Sequence, residues 1–343
     1  MKTGSTGANI ECENLTAVLG TIDNQSSPEL TYDDDGNLYQ KWTVSLNASA
    51  AKNAKDNSTP LVFKIYNQLD SEKQITLQLN PGIDPDDLQY GDIIYDDCTI
   101  VHLGEAKPAS GNAIGVVAYK SDTPTNVCEA GIVNTEGETV IGKVLVVALQ
   151  DVSNSGLTWG SSSESNHNDD LFPNLLNNLS LHQTDMRGYD KTKQMATRTG
   201  ECATHTHNAA TKAWNYHTDV LSSYSEEYLS GSTGWFFPSA GQFAQIAVGF
   251  DNGGDKDGNN KGTGTFNVLQ SCFAPKFVSN AQSIITAWAG GTNISGTYHT
   301  SSEIDAGHII QAYTNEGGLS YDSDGNYDDT KEMTYKVRAI LAY

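Results

Sequence analysis

Basic residues are scarce in this chain. Lys and Arg total 20 against 42 Asp and Glu, which sets the formal charge at −22. A nucleic-acid binder draws in phosphate with clustered Lys and Arg, so that class is excluded. An anionic membrane surface is disfavoured by the same sign of charge. Long hydrophobic runs are also missing. The longest, Ile114–Tyr119 and Val144–Leu149, are strand-sized, far short of the roughly 20 residues that span a bilayer, so no membrane insertion is expected. Met1-Lys2 is followed by Thr, Gly, Ser, Thr and Gly with no apolar stretch, which does not read as a signal peptide. Either a leader has been removed or none is used. Cys12 follows Asn-Ile-Glu, a poor lipidation context. The five cysteines, Cys12, Cys98, Cys128, Cys202 and Cys272, are widely spaced and contain no CxxC. That pattern supports neither a disulfide framework nor a zinc site, and one or two bridges remain open. GxSxG, HExxH, the Walker loop and a GxGxxG after a strand are all absent, so no familiar catalytic motif is present.

What is present argues for a folded protein. Trp 5, Tyr 16 and Phe 9 are more aromatics than a disordered acidic chain carries. A length of 343 residues suits two domains or one large one. Leu38–Leu46, Leu61–Tyr66 and Ile75–Leu79 alternate apolar and polar residues, the period of strands with one wet face. A β-sandwich over residues 1–85 is the simplest reading, with Pro81-Gly82 and Pro85 marking the boundary. Beyond it the texture changes. Asp92–Tyr95 and Ile114–Tyr119 read as short strands. Gly142–Leu149 is continuously apolar and reads as a strand buried on both faces. Helical spacing predicts helices over Asn208–Tyr228 and Ser239–Val248, the latter with Ser239 as N-cap. A third is predicted over Val268–Ala287, interrupted at Pro275. His308–Tyr313 and Tyr335–Tyr343 return to strands. This order of elements makes residues 86–343 an α+β domain.

Several constellations carry chemistry. Asp33–Asn37, Asp251–Asn260 and Asp322–Asp329 each contain Asp-Gly-Asn. Clustered carboxylates in a turn suit Ca²⁺, and Asp251, Asp255 and Asp257 are the candidate ligands. An EF-hand-like loop needs Glu six residues after its Gly, where Trp42, Gly264 and Lys331 stand instead. Hairpin tips use the same residues without metal, so no cofactor is expected. Cys202, His205, His207 and His217 form a second cluster, but no second Cys lies close in sequence, and His is ordinary at the start of a helix, so metal binding is not the favoured reading. Residues 296–329 hold Tyr298, His299, His308, Tyr313, Tyr321 and Tyr327 among Ser, Asn, Asp and Gly. Tyr supplies rigid contact area and the small polar residues supply adaptable hydrogen bonds, a palette shared by recognition surfaces and by plain polar loops.

Three motifs then align: GWFFPSAGQF at Gly234–Phe243, YHTSSE at Tyr298–Glu303 and YKVRAILAY at Tyr335–Tyr343. In this order they resemble the Fibrobacter succinogenes major paralogous domain, related to the Legionella collagen-like C-terminal domain. YGDIIYDDCT at Tyr90–Thr99, IGVVAY at Ile114–Tyr119, GKVLVVALQD at Gly142–Asp151 and GYDKT at Gly188–Thr192 fit the same pattern. The resemblance covers about residues 88–343. His299 stands where the family usually has Trp, and His308 where a second Trp often falls.

The resemblance implies a C-type-lectin-like α+β domain with a loop-rich ligand face and no catalysis. Relatives occur in surface adhesins, pilus-tip-like proteins and phage receptor-binding proteins, and some proteins of this fold vary a C-terminal stretch through diversity-generating retroelements. Here that stretch is Ile304–Thr334. Trp235, Phe236 and Phe237 are expected as core, and Val337, Ile340 and Leu341 as a central strand. The reading is a non-enzymatic, extracellular cell-surface protein that binds a glycan or protein receptor on another cell. The expected contacts are His299, Asp305, His308, Gln311, Tyr313, Asn315, Tyr321 and Tyr327. A virion tail protein and an enzyme on the related formylglycine-generating fold are the alternatives.

Overall fold

The computed structural model describes seven strands within residues 9–77 and the stretches 83–123, 142–160, 185–199, 206–252, 277–303, 309–314 and 331–343, with residues 125, 127–129, 132 and 318–320 between them. The chain divides into two compact units, Met1–Pro81 and Gly82–Tyr343.

The first unit is built of antiparallel pairs. Strand β1 (Asn9–Cys12) pairs with β6 (Leu61–Asn67), which pairs in turn with β7 (Asp70–Leu77). Strand β2 (Ile22–Gln25) pairs with β5 (Val44–Leu46), and β3 (Glu29–Tyr32) with β4 (Leu38–Lys41). The alternation over Leu38–Leu46, which reads as one strand, is therefore two strands with different partners. Pairing of Tyr32 with Leu38 makes β3 and β4 the arms that flank Asp33–Asn37.

The second unit mixes helices with antiparallel sheets. Five strands make its main sheet: β8 (Ile93–Tyr95), β9 (Ile100–Val101), β10 (Ala113–Lys120), β11 (Val144–Ala148) and β17 (Ile340–Ala342), in the order β17-β11-β10-β8-β9. Both faces of this sheet are covered, which explains the unbroken apolar run of β11. On one face Val116, Leu145, Val147 and Ile340 pack with Phe243, Ala247 and Phe250 of a helix. On the other, Val117, Val144, Val146 and Leu341 pack with Ala209, Ala213 and Tyr216. Successive residues of a strand point to opposite faces, so a doubly covered strand has no polar positions.

The helices are α1 (Gly188–Thr197), α2 (Asn208–Trp214), α3 (Tyr216–Val220), α4 (Ala240–Asn252) and α5 (Phe277–Ala281), among the described residues. Helix α5 runs on into a π-helical stretch, Gln282–Trp288. The expected helix over Asn208–Tyr228 is broken at Asn215 and ends at Val220. A 3₁₀ turn, Glu227–Leu229, follows and brings the Tyr228 hydroxyl back to His217 Nδ1 at 2.8 Å. Helix α4 begins as its sequence predicts. Ser239 N–H donates to Gln242 Oε1 (3.0 Å) and Gln242 N–H to Ser239 Oγ (3.4 Å), a reciprocal capping box. The helix packs so tightly on β10 that a Cβ at Gly249 would fall 1.8 Å from the Ala118 carbonyl oxygen. The third predicted helix starts only at Phe277, after Pro275, and residues 268–276 of that prediction lie outside the described set.

The C-terminal strand needs correction. Val337, Ile340 and Leu341 are buried as expected, but β17 is the edge strand of the sheet, beside β11 alone. Its outer side meets one bridge, where Phe236 and Ile340 exchange backbone hydrogen bonds of 2.8 and 2.9 Å. The aromatic segment thus closes the edge. Strands β13 (Thr297–Glu303), β14 (Ile309–Tyr313) and β15 (Gly318–Ser320) form a separate three-stranded sheet. Two short strands, β12 (Leu157–Thr158) and β16 (Thr334–Tyr335), form a ladder of their own.

Candidate functional site

The three motifs converge on one buried framework. Trp235, Phe236 and Phe237 are all buried, and Trp235 Nε1 donates to the Tyr228 hydroxyl at 2.7 Å. Ala240 N–H donates to Ser302 Oγ (2.9 Å) and Ser301 N–H to the Pro238 carbonyl (2.8 Å), so YHTSSE is stitched onto the cap of α4. His299 N–H donates to the Lys336 carbonyl (2.9 Å) and Lys336 N–H to the Thr297 carbonyl (3.2 Å), tying the second motif to the third. Arg338 is buried and ion-paired to Asp151 at 2.8 Å, while its Nη atoms donate to the carbonyls of Ala148 and Thr292, each at 3.1 Å. Asp185 lies beneath the first two motifs. It is ion-paired with Lys191 and with Arg187 (2.8 Å) and accepts from Ser302 Oγ at 3.4 Å, while Ser239 Oγ donates to its backbone carbonyl. Burial alone would raise the Asp185 carboxyl, but Lys191 and Arg187 outweigh it and hold the group below its ordinary value.

The framework closes the base of the segment between the second and third motifs. Glu303 ends β13, and Lys331 stands where the described chain resumes after β14 and β15. Their side chains form an ion pair of 2.6 Å, with Lys331 fully buried. The Lys331 ammonium also sits 5.0 Å from the ring centroid of Trp159, whose Nε1 donates to the Thr300 carbonyl at 2.9 Å. Glu303 and Lys331 are thus joined by a cationic contact packed on an indole, while β14, which lies between them in sequence, is itself buried in the domain.

Two of the predicted contact residues lie inside this framework. His299 and Gln311 are fully buried and face each other across β13 and β14. His299 Nε2 lies 2.9 Å from the Leu157 carbonyl and 3.1 Å from that of Met333, so this nitrogen carries the proton and donates. Burial pushes the imidazole down to about 4, against the opposing pull of those carbonyls. Its Nδ1 and both amide atoms of Gln311 have no hydrogen-bond partner among the described residues. His299 packs edge-on against Tyr335 at 5.1 Å between centroids, occupying space that suits an aromatic ring. Tyr313 is half-buried at the end of β14. Asp305, His308, Asn315, Tyr321 and Tyr327 lie outside the described residues. Of the candidate cation ligands, Asp251 falls in the last turn of α4, and Asp255 and Asp257 lie outside the described residues. Among the described residues no group of three or more His, Cys, Asp or Glu is placed to hold a metal ion.

A feature absent from the sequence reading lies elsewhere on the domain. A cleft of about 420 Å³ is lined by Tyr90, Asp92, His102 and Leu103 on one side and by Asn280 and Ile284 on the other. Asp92 is 1% exposed. Its Oδ2 accepts from Gln89 N–H at 2.7 Å, and its Oδ1 lies 3.0 Å from His102 Nδ1, while the His102 side chain is 42% exposed. The carboxylate of Asp92 raises the imidazole above its ordinary value. The signal was the hairpin: Ile93 pairs with Val101, so Asp92 and His102 are the next cross-strand neighbours.

No family model and no curated protein matches this chain. Among solved structures it is similar to a fimbrial protein from Bacteroides ovatus. The two share 15% identity with a TM-score of 0.43, over 91% of this chain and 60% of that one. This chain thus spans less than two thirds of that protein's length. Among the described residues, no helix is long and apolar enough to cross a membrane.

Proposed function

We propose that this is a non-enzymatic recognition protein of the cell surface. Its C-terminal unit is a C-type-lectin-like domain akin to the Fibrobacter paralogous family, and it binds a glycan or protein receptor through residues 304–330. The N-terminal strands form a β-sandwich that serves as stalk or attachment module. The observation that carries this reading is the closed base of the segment. Glu303 and Lys331 pin both ends to a core formed by all three motifs. Ile309, Ile310, Gln311, Ala312 and Thr314 of the segment are buried and belong to that core; on this reading its remaining side chains vary at little cost to the fold, as binding loops on rigid scaffolds do.

Composition gives the segment a sign. Asp305, Glu316, Asp322, Asp324, Asp328 and Asp329 are its charged residues, with no Lys or Arg among them. The receptor surface is accordingly neutral or cationic. Tyr313, Tyr321 and Tyr327 supply the flat contact area, and Asp305 and Asn315 the hydrogen bonds. His299 and Gln311, buried opposite each other in β13 and β14, act as scaffold and make no direct contact with the receptor. The test is a glycan and protein array probed with the full chain and with the Tyr313→Ala/Tyr321→Ala variant. Binding by the parent, lost in the variant at an unchanged melting temperature, supports the reading. Equal binding by both overturns it.

A further inference from the structure

The cleft between the β8–β9 hairpin and the α5–π-helix segment is a second place where this domain is built to take a ligand. Nothing in it belongs to residues 304–330. Its central feature is a pair of groups in which one orients the other. Asp92 is buried and its two oxygens are engaged by Gln89 N–H and by His102 Nδ1, which makes Nδ1 the protonated nitrogen. His102 Nε2 is then the nitrogen left to meet a ligand, on a ring that is 42% exposed; it accepts when the ring is neutral and donates when Asp92 keeps it protonated. A carboxylate that holds an accessible imidazole in one orientation is a device for aiming one hydrogen-bonding nitrogen. Ser283 lines the same cleft but makes no hydrogen bond to His102 among the described contacts. The pair therefore presents a hydrogen-bonding ring nitrogen rather than activating a hydroxyl.

The remaining walls restrict the ligand. Asn280 Nδ2 donates to the Phe250 carbonyl at 2.7 Å, which commits the amide nitrogen and leaves Oδ1 as an acceptor. Tyr90 is held by Phe250 in an edge-to-face contact of 5.9 Å, so its ring is a fixed wall. Leu103, 49% exposed, and Ile284 supply apolar surface. Charge excludes two classes. Asp92, Glu105 and Asp87 all face His102, so an anion is repelled. Among the described residues that line the cleft Asp92 is the one carboxylate, and both its oxygens are already bonded, so a cation finds no free ligand there. What fits is a neutral molecule that offers hydroxyl donors on one side and C–H groups on the other. The volume falls in the range of small-molecule sites.

We infer that this cleft binds a neutral sugar residue, with His102 Nε2 and Asn280 Oδ1 hydrogen-bonded to its hydroxyls and Tyr90, Leu103 and Ile284 against its C–H face. The test uses the full chain with ¹³C-labelled histidine, titrated with D-glucose, D-galactose, D-mannose, L-fucose and N-acetyl-D-glucosamine. D-glucosamine and N-acetylneuraminic acid serve as charged controls. At least one neutral sugar is expected to shift the His102 Cε1–H resonance in a saturable way. Two variants are expected to weaken that sugar's binding by about tenfold or more: His102→Ala, and Ser283→Trp, which fills the cleft from an exposed position and spares the Asp92–His102 pair. The Tyr313→Ala/Tyr321→Ala variant is expected to bind the same sugar as the parent does, which keeps this site distinct from the segment 304–330. No shift with any neutral sugar overturns the inference, as does parent-like affinity in both cleft variants or binding of the charged sugars alone.

Discussion

At the scale of single residues, His299 decides most. Its side chain is buried with a neutral imidazole whose protonation is pushed down to about 4, while an unfolded His titrates near 6.5. The unfolded state therefore binds more protons between these values, and stability falls as pH drops through that window. The contribution is complete above about pH 6.5 and lost by about pH 4, on the order of 3 kcal/mol. His299→Phe removes the titration but also orphans the Leu157 and Met333 carbonyls. It is expected to flatten the acid limb of a melting-temperature profile while lowering stability at pH 7 by roughly 1–3 kcal/mol. An unchanged acid limb would remove His299 from this role. Glu129 works with the opposite sign. Burial pushes its carboxyl up to about 7, although it accepts Asp190 N–H at 2.8 Å. Its folded form resists ionisation, so stability is lost as pH rises from the usual carboxylate range through 7. Glu129→Gln keeps the acceptor without the charge. It is expected to raise the melting temperature by a few degrees at pH 8 and to leave it nearly unchanged at pH 5, as thermal melts at the two pH values would report.

At the scale of elements, the ion pair that closes the base of the 304–330 segment sets the prediction. Removing one partner of a buried pair leaves an uncompensated charge and costs about 3–5 kcal/mol, whereas replacing both with apolar groups is often close to neutral. Lys331→Met is thus expected to lower stability strongly, and Glu303→Leu/Lys331→Met to recover most of it in denaturant unfolding. A double variant as unstable as the single one would mean that the pin acts through something other than charge.

How much was legible in the sequence also divides by element. The continuous run of β11 and the Ser239 cap could be read directly, because each rests on local chemistry or period. The five-residue β14 was legible for the same reason. The break at Asn215 was not, since the helical stripe of 208–228 continues past it and the competing Tyr228–His217 contact lies across a turn. The helix Gly188–Thr197 is not legible in the sequence, because its buried stripe includes Gly188, Lys191 and Thr192, polar or small positions held by Asp185 and the α4 cap. The edge position of β17 depends on Phe236, more than 100 residues away, and no local pattern encodes that. The candidate site follows the same rule. The three motifs were visible, but the burial of His299 and Gln311 comes from cross-strand pairing, as does the Asp92–His102 pair.

At the scale of the whole molecule, acidity and architecture meet. The charge of −22 disfavours partners of the same sign. The segment 304–330 carries six carboxylates and no Lys or Arg in sequence, which suits the neutral or basic partner proposed for it. Binding through it is expected to weaken as salt rises if the partner is cationic, because exposed charges are screened within about 10 Å at 0.1 M ionic strength. The central claim is that this segment carries recognition while the motifs around it carry the fold. The most direct measurement is receptor affinity alongside melting temperature for the full chain with residues 321–329 replaced by Gly and Ser of equal length. The account predicts that binding is lost while the melting temperature moves by less than about 3 °C. Undiminished affinity in that variant would contradict it.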